Sequence, residues 1–256
     1  MGFSDYRTAL VTGASSGIGA ATVRRLHAEG LEVHALARDV RRLDSLSAET
    51  GCRAWAVDVT DLGALERLAS AAEFDVLVNN AGQSRRGTIL DTAPDDIDSL
   101  VDVNLRAVLH LTRLIAPSMA RRNRGHVVNV SSIAGHYAFG ENATTFNSSV
   151  AYHATKASVH SLSQQLRVDL SGTCVRVTEV SPGRVATSIF QNQNTADDSD
   201  ARFVGGFETL QSEDVAHAHV PGRRGTTIRD PIRGRAIERN EKWSCQCLSS
   251  QTASRP

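Results

Sequence analysis

An α/β fold, with a parallel sheet covered by helices on both faces, is predicted by three observations. Short apolar runs suited to buried strands alternate six times with stretches of helical period. The first run opens onto a glycine-rich turn and then a helix, the context in which such a turn meets a dinucleotide. A length of 256 residues is enough for one large domain with a well-buried core. Together these specify a Rossmann-type doubly wound sheet in a single domain.

Composition narrows the partners. The 28 basic and 28 acidic residues give a formal net charge of zero, without the electrostatic footprint of a nucleic-acid binder. No apolar run approaches the roughly 20 residues of a membrane span. The N-terminal stretch MGFSDYRTALVTG moves straight into a strand pattern and carries no signal-peptide pattern. Gly2 does not fit the myristoylation pattern, because Tyr6 stands where Ser or Thr is required. Cys52 and Cys174 fall in or beside strands and are expected as small core residues. Cys245 and Cys247 form a lone CxC in a polar tail, with no further ligands at metal spacing, so no metal is expected. The expectation is a reduced, cytoplasmic protein acting on a small molecule, with neither nucleic acid nor membrane as partner.

Residues 8–12, TALVT, form the first strand, and a helix follows the turn as far as Glu29, stopped by Gly30. The turn is Gly13-Ala14-Ser15-Ser16-Gly17-Ile18-Gly19. Gly13 allows the tight bend, Gly17 lets a pyrophosphate approach the backbone, and Gly19 lets the helix lie close to the strand. The helix N-terminus offers free N–H groups and a positive dipole end. The spacing is GxxxGxG rather than the common GxGxxG. Residues 31–37 make the second strand, which ends at Arg38. A basic residue there pairs with a 2′-phosphate and favours NADP, whereas the following Asp39 would favour the 2′-hydroxyl of NAD.

The third strand, 53–57, ends at Asp58-Val59. Asp58 either accepts from an adenine amino group or caps the helix over 61–72, a duty that Thr60 or Asp61 could also perform. The fourth strand, 75–82, ends in Asn79-Asn80-Ala81-Gly82, and its small residues leave room for a close-lying cofactor. The helix over 95–116 contains Asn104, a poor helix former that either holds a water or opens the helix by bonding a backbone carbonyl. The fifth strand, 125–131, delivers Ser131 and Ser132 to the sheet edge where ligands bind. The sixth, 174–180, leads into Ser181-Pro182-Gly183 and then Arg184-Val185-Ala186-Thr187. The polar stretch 191–206 suits a mobile lid.

The helix from Ser149 to Gly172 carries the chemistry. Tyr152 and Lys156 stand four positions apart, so their side chains stack on one face. A phenol holds its proton to about pH 10. A neighbouring ammonium favours the phenolate, so Lys156 is expected to lower the Tyr152 pKa toward the range of general acid–base work.

The order of these elements resembles the classical short-chain dehydrogenase/reductase family over about residues 7–216. The motifs that carry it are Thr12-Gly13-xxx-Gly17-Ile18-Gly19, Asn79-Asn80-Ala81-Gly82, Asn104, Ser132, Tyr152-xxx-Lys156 and Pro182-Gly183. LRVDLSGTCVRVTEVSPGRV followed by EDVA at 213–216 is similar to the branch of NADP-dependent 3-hydroxy acid and serine dehydrogenases. The resemblance implies a secondary alcohol or ketone as substrate, such as a small hydroxy acid or keto ester, and NADP as cofactor. It implies that Tyr152 donates or accepts the proton, that Ser132 orients the reacting oxygen, and that Lys156 lowers the tyrosine pKa and holds the nicotinamide ribose. Asn104 would position a water linking Lys156 to solvent. Gly13 to Gly19 would cradle the pyrophosphate, Asp58 and Val59 would meet the adenine, and Asn80, Ala81 and Gly82 would run beside the adenosine ribose. Pro182, Gly183, Val185 and Thr187 would line the nicotinamide. A dimer or tetramer packed through the 95–116 and 149–172 helices is also implied.

Two departures stand out. Tyr152 stands 20 positions after Ser132, farther than is usual in the family, with the surplus in AFGENATTFNSS. Tyr137 is nearer the usual spacing but has no lysine four residues on. After residue 216 the expected amphipathic helix and seventh strand are replaced by an arginine-rich stretch. Residues 217–256 are therefore read as a divergent, disordered tail after a catalytic domain of 1–216. These departures leave a second reading open, a non-catalytic NADP-binding scaffold or sensor. Halohydrin elimination on the same fold is a third, and Lys156 argues against it.

Overall fold

Six strands, β1 (Thr8–Thr12), β2 (Glu32–Ala37), β3 (Arg53–Ala56), β4 (Val76–Asn79), β5 (Gly125–Val130) and β6 (Val175–Val180), lie parallel in the order β3-β2-β1-β4-β5-β6. The computed structural model describes residues 5–85, 87–138, 150–183, 185–187, 189 and 210–218. The strands read as apolar runs because the central ones are buried on both faces, as in β4 and β5, where every residue is buried. Strand order reverses between β1 and β4, which pair through Val11 and Val78. The crevice at the carboxyl ends of these two strands is the place where such sheets take ligands.

Helices alternate with the strands. They are α1 (Gly17–Ala28), α2 (Val40–Thr50), α3 (Leu62–Ala71), α4 (Pro94–Val101), α5 (Ala107–Arg121), α6 (Val150–Asp169) and α7 (Ser212–Ala218). Asp39 caps α2 by accepting from the Arg42 N–H at 3.1 Å. Asp61 caps α3 through the Ala64 N–H at 2.9 Å, which decides among the three candidate caps Asp58, Thr60 and Asp61. One core cluster joins Leu65 and Leu68 of α3, Leu111, Ile115 and Met119 of α5, and Leu166 of α6 to Leu10, Leu77 and Val127 of the sheet.

The single helix expected over 95–116 is instead two helices joined by a π-helical turn at Asp102–Arg106. Such a turn inserts one extra residue and re-aims the side chains on it. Helix α7 crosses the boundary expected at 216. The surplus loop, the polar stretch at 191–206 and the tail from 219 onward lie outside the described residues. Among the described residues, no helix is long and apolar enough to cross a membrane.

Candidate active site

Ser132, Tyr152 and Lys156 converge at the carboxyl end of β5. Tyr152 and Lys156 are both buried on the first turns of α6. The Lys156 ammonium donates to the Val130 carbonyl at 2.9 Å and stands 5.8 Å from the centre of the Tyr152 ring. The Tyr152 hydroxyl and the Ser132 side chain are hydrogen-bonded to each other. Ser132 also accepts from the Ala134 N–H at 3.2 Å, which shapes the short 3₁₀ turn Ile133–Gly135. The Ser131 hydroxyl donates to the Lys156 carbonyl at 2.9 Å, tying the end of the strand to the helix. Tyr137, by contrast, is exposed.

Burial governs both titrations. Desolvation pushes the Tyr152 phenol above its ordinary value, and the Ser132 hydrogen bond only partly offsets it. Desolvation also lowers Lys156 from 10.5 to about 8. The expected lowering of Tyr152 by Lys156 is therefore not what prevails here, because charging either group in this dry pocket costs more solvation than the pair returns. Near pH 7 the phenol is neutral and can donate a proton, while Lys156 is mostly cationic.

The Lys156 shift has a consequence for stability. The folded chain releases this proton near pH 8, whereas the unfolded chain holds it to about 10.5. Between those values the unfolded state binds more protons, so stability rises with pH. Urea unfolding should find the free wild-type protein gaining about 2 kcal/mol relative to Lys156→Met between about pH 7.5 and 9.5. Parallel curves for the two proteins would mean that Lys156 is not held in a desolvated site.

Asn104, 1% exposed, sits within the π-helical turn. Its amide donates to the Gln83 carbonyl at 2.9 Å and to the Thr155 hydroxyl at 3.2 Å, and its oxygen accepts from the Gln83 N–H at 2.9 Å. The side chain thus bonds a backbone carbonyl of the chain leaving β4 rather than one of its own helix, and it joins the turn to that chain and to α6.

The glycine-rich turn fits a pyrophosphate. Gly13 and Gly17 hold left-handed backbone at φ 65° and 50°. A Cβ on Gly19 would lie 2.2 Å from the Gly13 carbonyl oxygen, so α1 approaches the turn as closely as backbone permits. Ser15, Ser16, Gly17 and Ile18 are half-buried, and the Ser16 side chain makes no capping bond, leaving the first N–H groups of α1 for an anion. Thr187 reaches the turn, its methyl 3.0 Å from where a Gly17 Cβ would stand. The chain leading to it is anchored where the Pro182 carbonyl accepts from the Ile133 N–H at 3.1 Å and where Val185 pairs with Leu210. Gly183, between these anchors, is half-buried.

The other expected cofactor residues divide. Asn80 donates to the Thr12 and Gly13 carbonyls at 2.9 and 3.3 Å, so its side chain braces the turn. The N–H groups of Asn80 and Ala81 donate to the Thr12 hydroxyl. A Cβ on Gly82 would stand 3.5 Å from the Lys156 ammonium, which places this backbone beside Lys156. Val59 is buried with its side chain in the core, leaving its backbone as the part that could face a base. Asp58 accepts from the N–H and hydroxyl of Thr60 at 2.9 and 2.8 Å and stands 3.7 Å from Arg38.

Two supporting residues were not anticipated, and Thr12 of the glycine-turn motif gains a role, its hydroxyl donating to the Val78 carbonyl at 3.2 Å. Thr155 donates to the Tyr152 carbonyl within α6 at 2.9 Å and accepts from the Asn104 amide at 3.2 Å. Gly135 packs so closely on α6 that a Cβ there would lie 2.7 Å from the Lys156 carbonyl oxygen. A glycine just after the serine pair was the only visible sign of that contact.

Known proteins resemble this chain in sequence and fold. Residues 7–198 match the family model described as short chain dehydrogenase. An uncharacterized short-chain type dehydrogenase/reductase of Sinorhizobium fredii is 40% identical over 212 residues, covering 82% of this chain and 83% of its own. The closed form of a serine dehydrogenase complexed with NADP+ is 32% identical, with a TM-score of 0.75 over 82% of this chain and 86% of that one. A short-chain dehydrogenase from Sphingobium yanoikuyae in complex with NADPH is 33% identical, with a TM-score of 0.71 over 83% and 82%. With the parallel sheet and glycine turn already in view, these matches mean that the chain belongs to the short-chain dehydrogenase/reductase family of oxidoreductases acting on CH–OH groups.

Proposed function

We propose that this protein interconverts a secondary alcohol and a ketone with NADP as its cofactor and Tyr152 as the acid–base group. The observation that carries the reading is the convergence of half-buried Ser132 with buried Tyr152 and Lys156 at the carboxyl end of β5. In reduction, the neutral Tyr152 phenol gives its proton to the carbonyl oxygen, and in oxidation the phenolate takes it back from the alcohol. Ser132 donates to the same oxygen and fixes its position. Lys156, cationic near neutrality, stabilises negative charge on the phenol and offers its remaining N–H donors to ribose hydroxyls. The bound nicotinamide would supply or receive the hydride. The intact catalytic set favours this reading over a scaffold without turnover. The likeness to a serine dehydrogenase supports a small hydroxy acid or keto ester as substrate.

Preference for NADP is supported by how the two charged residues after β2 are used. The Asp39 carboxylate is committed to the α2 cap and pairs with Arg42 at 3.4 Å. The Arg38 side chain is 74% exposed, and its ion pair with Asp58 is loose at 3.7 Å, so its guanidinium can turn to a 2′-phosphate. Calorimetric titration should find NADPH bound more tightly than NADH, with Arg38→Ala weakening NADPH by about tenfold and NADH hardly at all. Equal affinities would overturn the NADP reading. The same reading takes the protein as a dimer or tetramer, since Leu109 on α5 and Val168 on α6 are exposed. Light scattering on the titrated sample reads its mass, and a monomer would reject that part.

A further inference from the structure

We propose that His136, His160 and Glu179 form a binding site for a divalent transition-metal cation of the zinc class. His136 follows the 3₁₀ turn that carries Ser132, His160 lies one turn beyond Lys156 on α6, and Glu179 lies on β6. One ligand atom from each falls within 4.8 Å of the others. His136 Nε2 is 3.2 Å from one Glu179 oxygen, and His160 Nδ1 is 2.8 Å from the other. The two imidazoles meet edge to face, with centres 4.3 Å apart. A tetrahedral zinc with bonds of about 2.0–2.1 Å keeps its ligand atoms about 3.3 Å from each other. Each histidine is already near that distance from one of the two Glu179 oxygens, and no pair of ligand atoms has to close by more than about 1.5 Å.

The donor set is right for such an ion. Two imidazoles and a carboxylate bind Zn2+, and the same set takes Co2+ and Ni2+. The Ser181 hydroxyl, 2.9 Å from His136 Nε2 and 2.8 Å from Glu179, marks where a fourth oxygen or a water would stand. The Gln164 amide nitrogen is 2.9 Å from His160 Nε2, and an amide flip would bring its carbonyl oxygen there to accept from the Nε2–H left when Nδ1 binds a metal. The histidine side chains are 28% and 34% exposed, so an ion has a path in, while the carboxylate is 8% exposed and is held in place.

The ligands come from three elements. One is the turn after β5 that carries Ser132, one is the helix of Tyr152 and Lys156, and one is the strand that feeds Pro182 and Gly183. A bound cation would cross-link these three and stiffen the frame of the catalytic groups. Without a cation, the same atoms close on one another as a hydrogen-bonded triad, so the experiment must separate the two states.

Full-length protein stripped with a chelator is titrated with Co2+ and followed by its ligand-field absorption, then challenged with Zn2+. The expected result is one equivalent of Co2+ with intense low-symmetry bands that Zn2+ displaces. A hundredfold excess of Zn2+ over its dissociation constant should raise the melting temperature by about 5–10 °C. His160→Asn and Glu179→Gln should each weaken Co2+ binding at least about tenfold, consistent with loss of a direct ligand. Folded wild-type protein that shows only the spectrum of free aqueous Co2+ would overturn the proposal. So would a stoichiometric spectrum that survives unchanged in the His136→Asn, His160→Asn double variant, because the metal would then sit elsewhere.

Discussion

Tyr152→Phe should lower turnover of a ketone with NADPH by at least about 10²–10⁴-fold, the span of a lost general acid, while cofactor affinity changes less than about twofold. The substitution removes one oxygen from a side chain that is 8% exposed and packed against Leu100, Ala134 and Ala151. The ring stays in an apolar setting, and loss of the Ser132 hydrogen bond should cost about 0.5–1.5 kcal/mol. Stability and catalysis thus separate cleanly in this variant. The raised phenol pKa makes neutral Tyr152 a ready donor for reduction near pH 7. Oxidation requires the phenolate, and kcat/KM for the alcohol, which reports the titration of the free enzyme, should climb toward alkaline pH. Stopped-flow assays at saturating cofactor measure the loss directly. A phenylalanine variant within about tenfold of wild type would show that another group supplies the proton, and Tyr152 would revert to a packing residue.

Why these residues were legible, and others not, follows from the range of the forces that place them. Strands β4 and β5 are buried on both faces, so their runs of Val and Leu announce them without any tertiary knowledge. Tyr152 and Lys156 belong to one helix, so a four-residue spacing is enough to bring them together. The π-helical turn is different. Nothing in Asp102-Val103-Asn104-Leu105-Arg106 demands it, and the extra residue is stabilised by Asn104 bonding Gln83, 21 positions earlier, and Thr155, 51 positions later. The sign of the Tyr152 shift was hidden for a related reason. Sequence shows that a lysine is near, but desolvation depends on what the whole fold packs around the pair. Asp39 weakened the NADP reading because sequence does not show what its carboxylate binds, and in the fold it accepts from the Arg42 N–H. His136, His160 and Glu179 lie on three elements with no metal-like spacing, so only their meeting beside β6 discloses them.

Glycine-to-alanine substitutions at two helical positions should act with opposite signs, and the larger effect falls on the cofactor turn. At Gly19 the new Cβ would lie 2.2 Å from the Gly13 carbonyl oxygen and 2.6 Å from the Asn80 amide nitrogen. The first is backbone and cannot swing aside, so α1 must move away from the turn or the turn must open. Overpacking of this kind costs about 1–3 kcal/mol, and with a main-chain atom as the obstacle the upper end is expected. Urea unfolding should show a lower midpoint at unchanged slope. Because Gly13 and the start of α1 move with the clash, NADPH affinity should also fall, by about tenfold or more, the equivalent of one lost charge-assisted hydrogen bond. At Gly63, inside α3, the nearest atoms to a new Cβ are the Arg67 and Asp61 side chains at 3.5 and 3.6 Å, which is ordinary contact. Alanine there should stabilise the protein by about 0.5–1 kcal/mol by restricting the unfolded chain, with no change in NADPH binding. The pair shares one chemical change and differs only in what the methyl meets, so general helix propensity cannot account for a divergence. If Gly19→Ala unfolds at the wild-type midpoint and binds NADPH as tightly, the close approach of α1 to the turn is wrong, and the pyrophosphate cradle built on it must be abandoned.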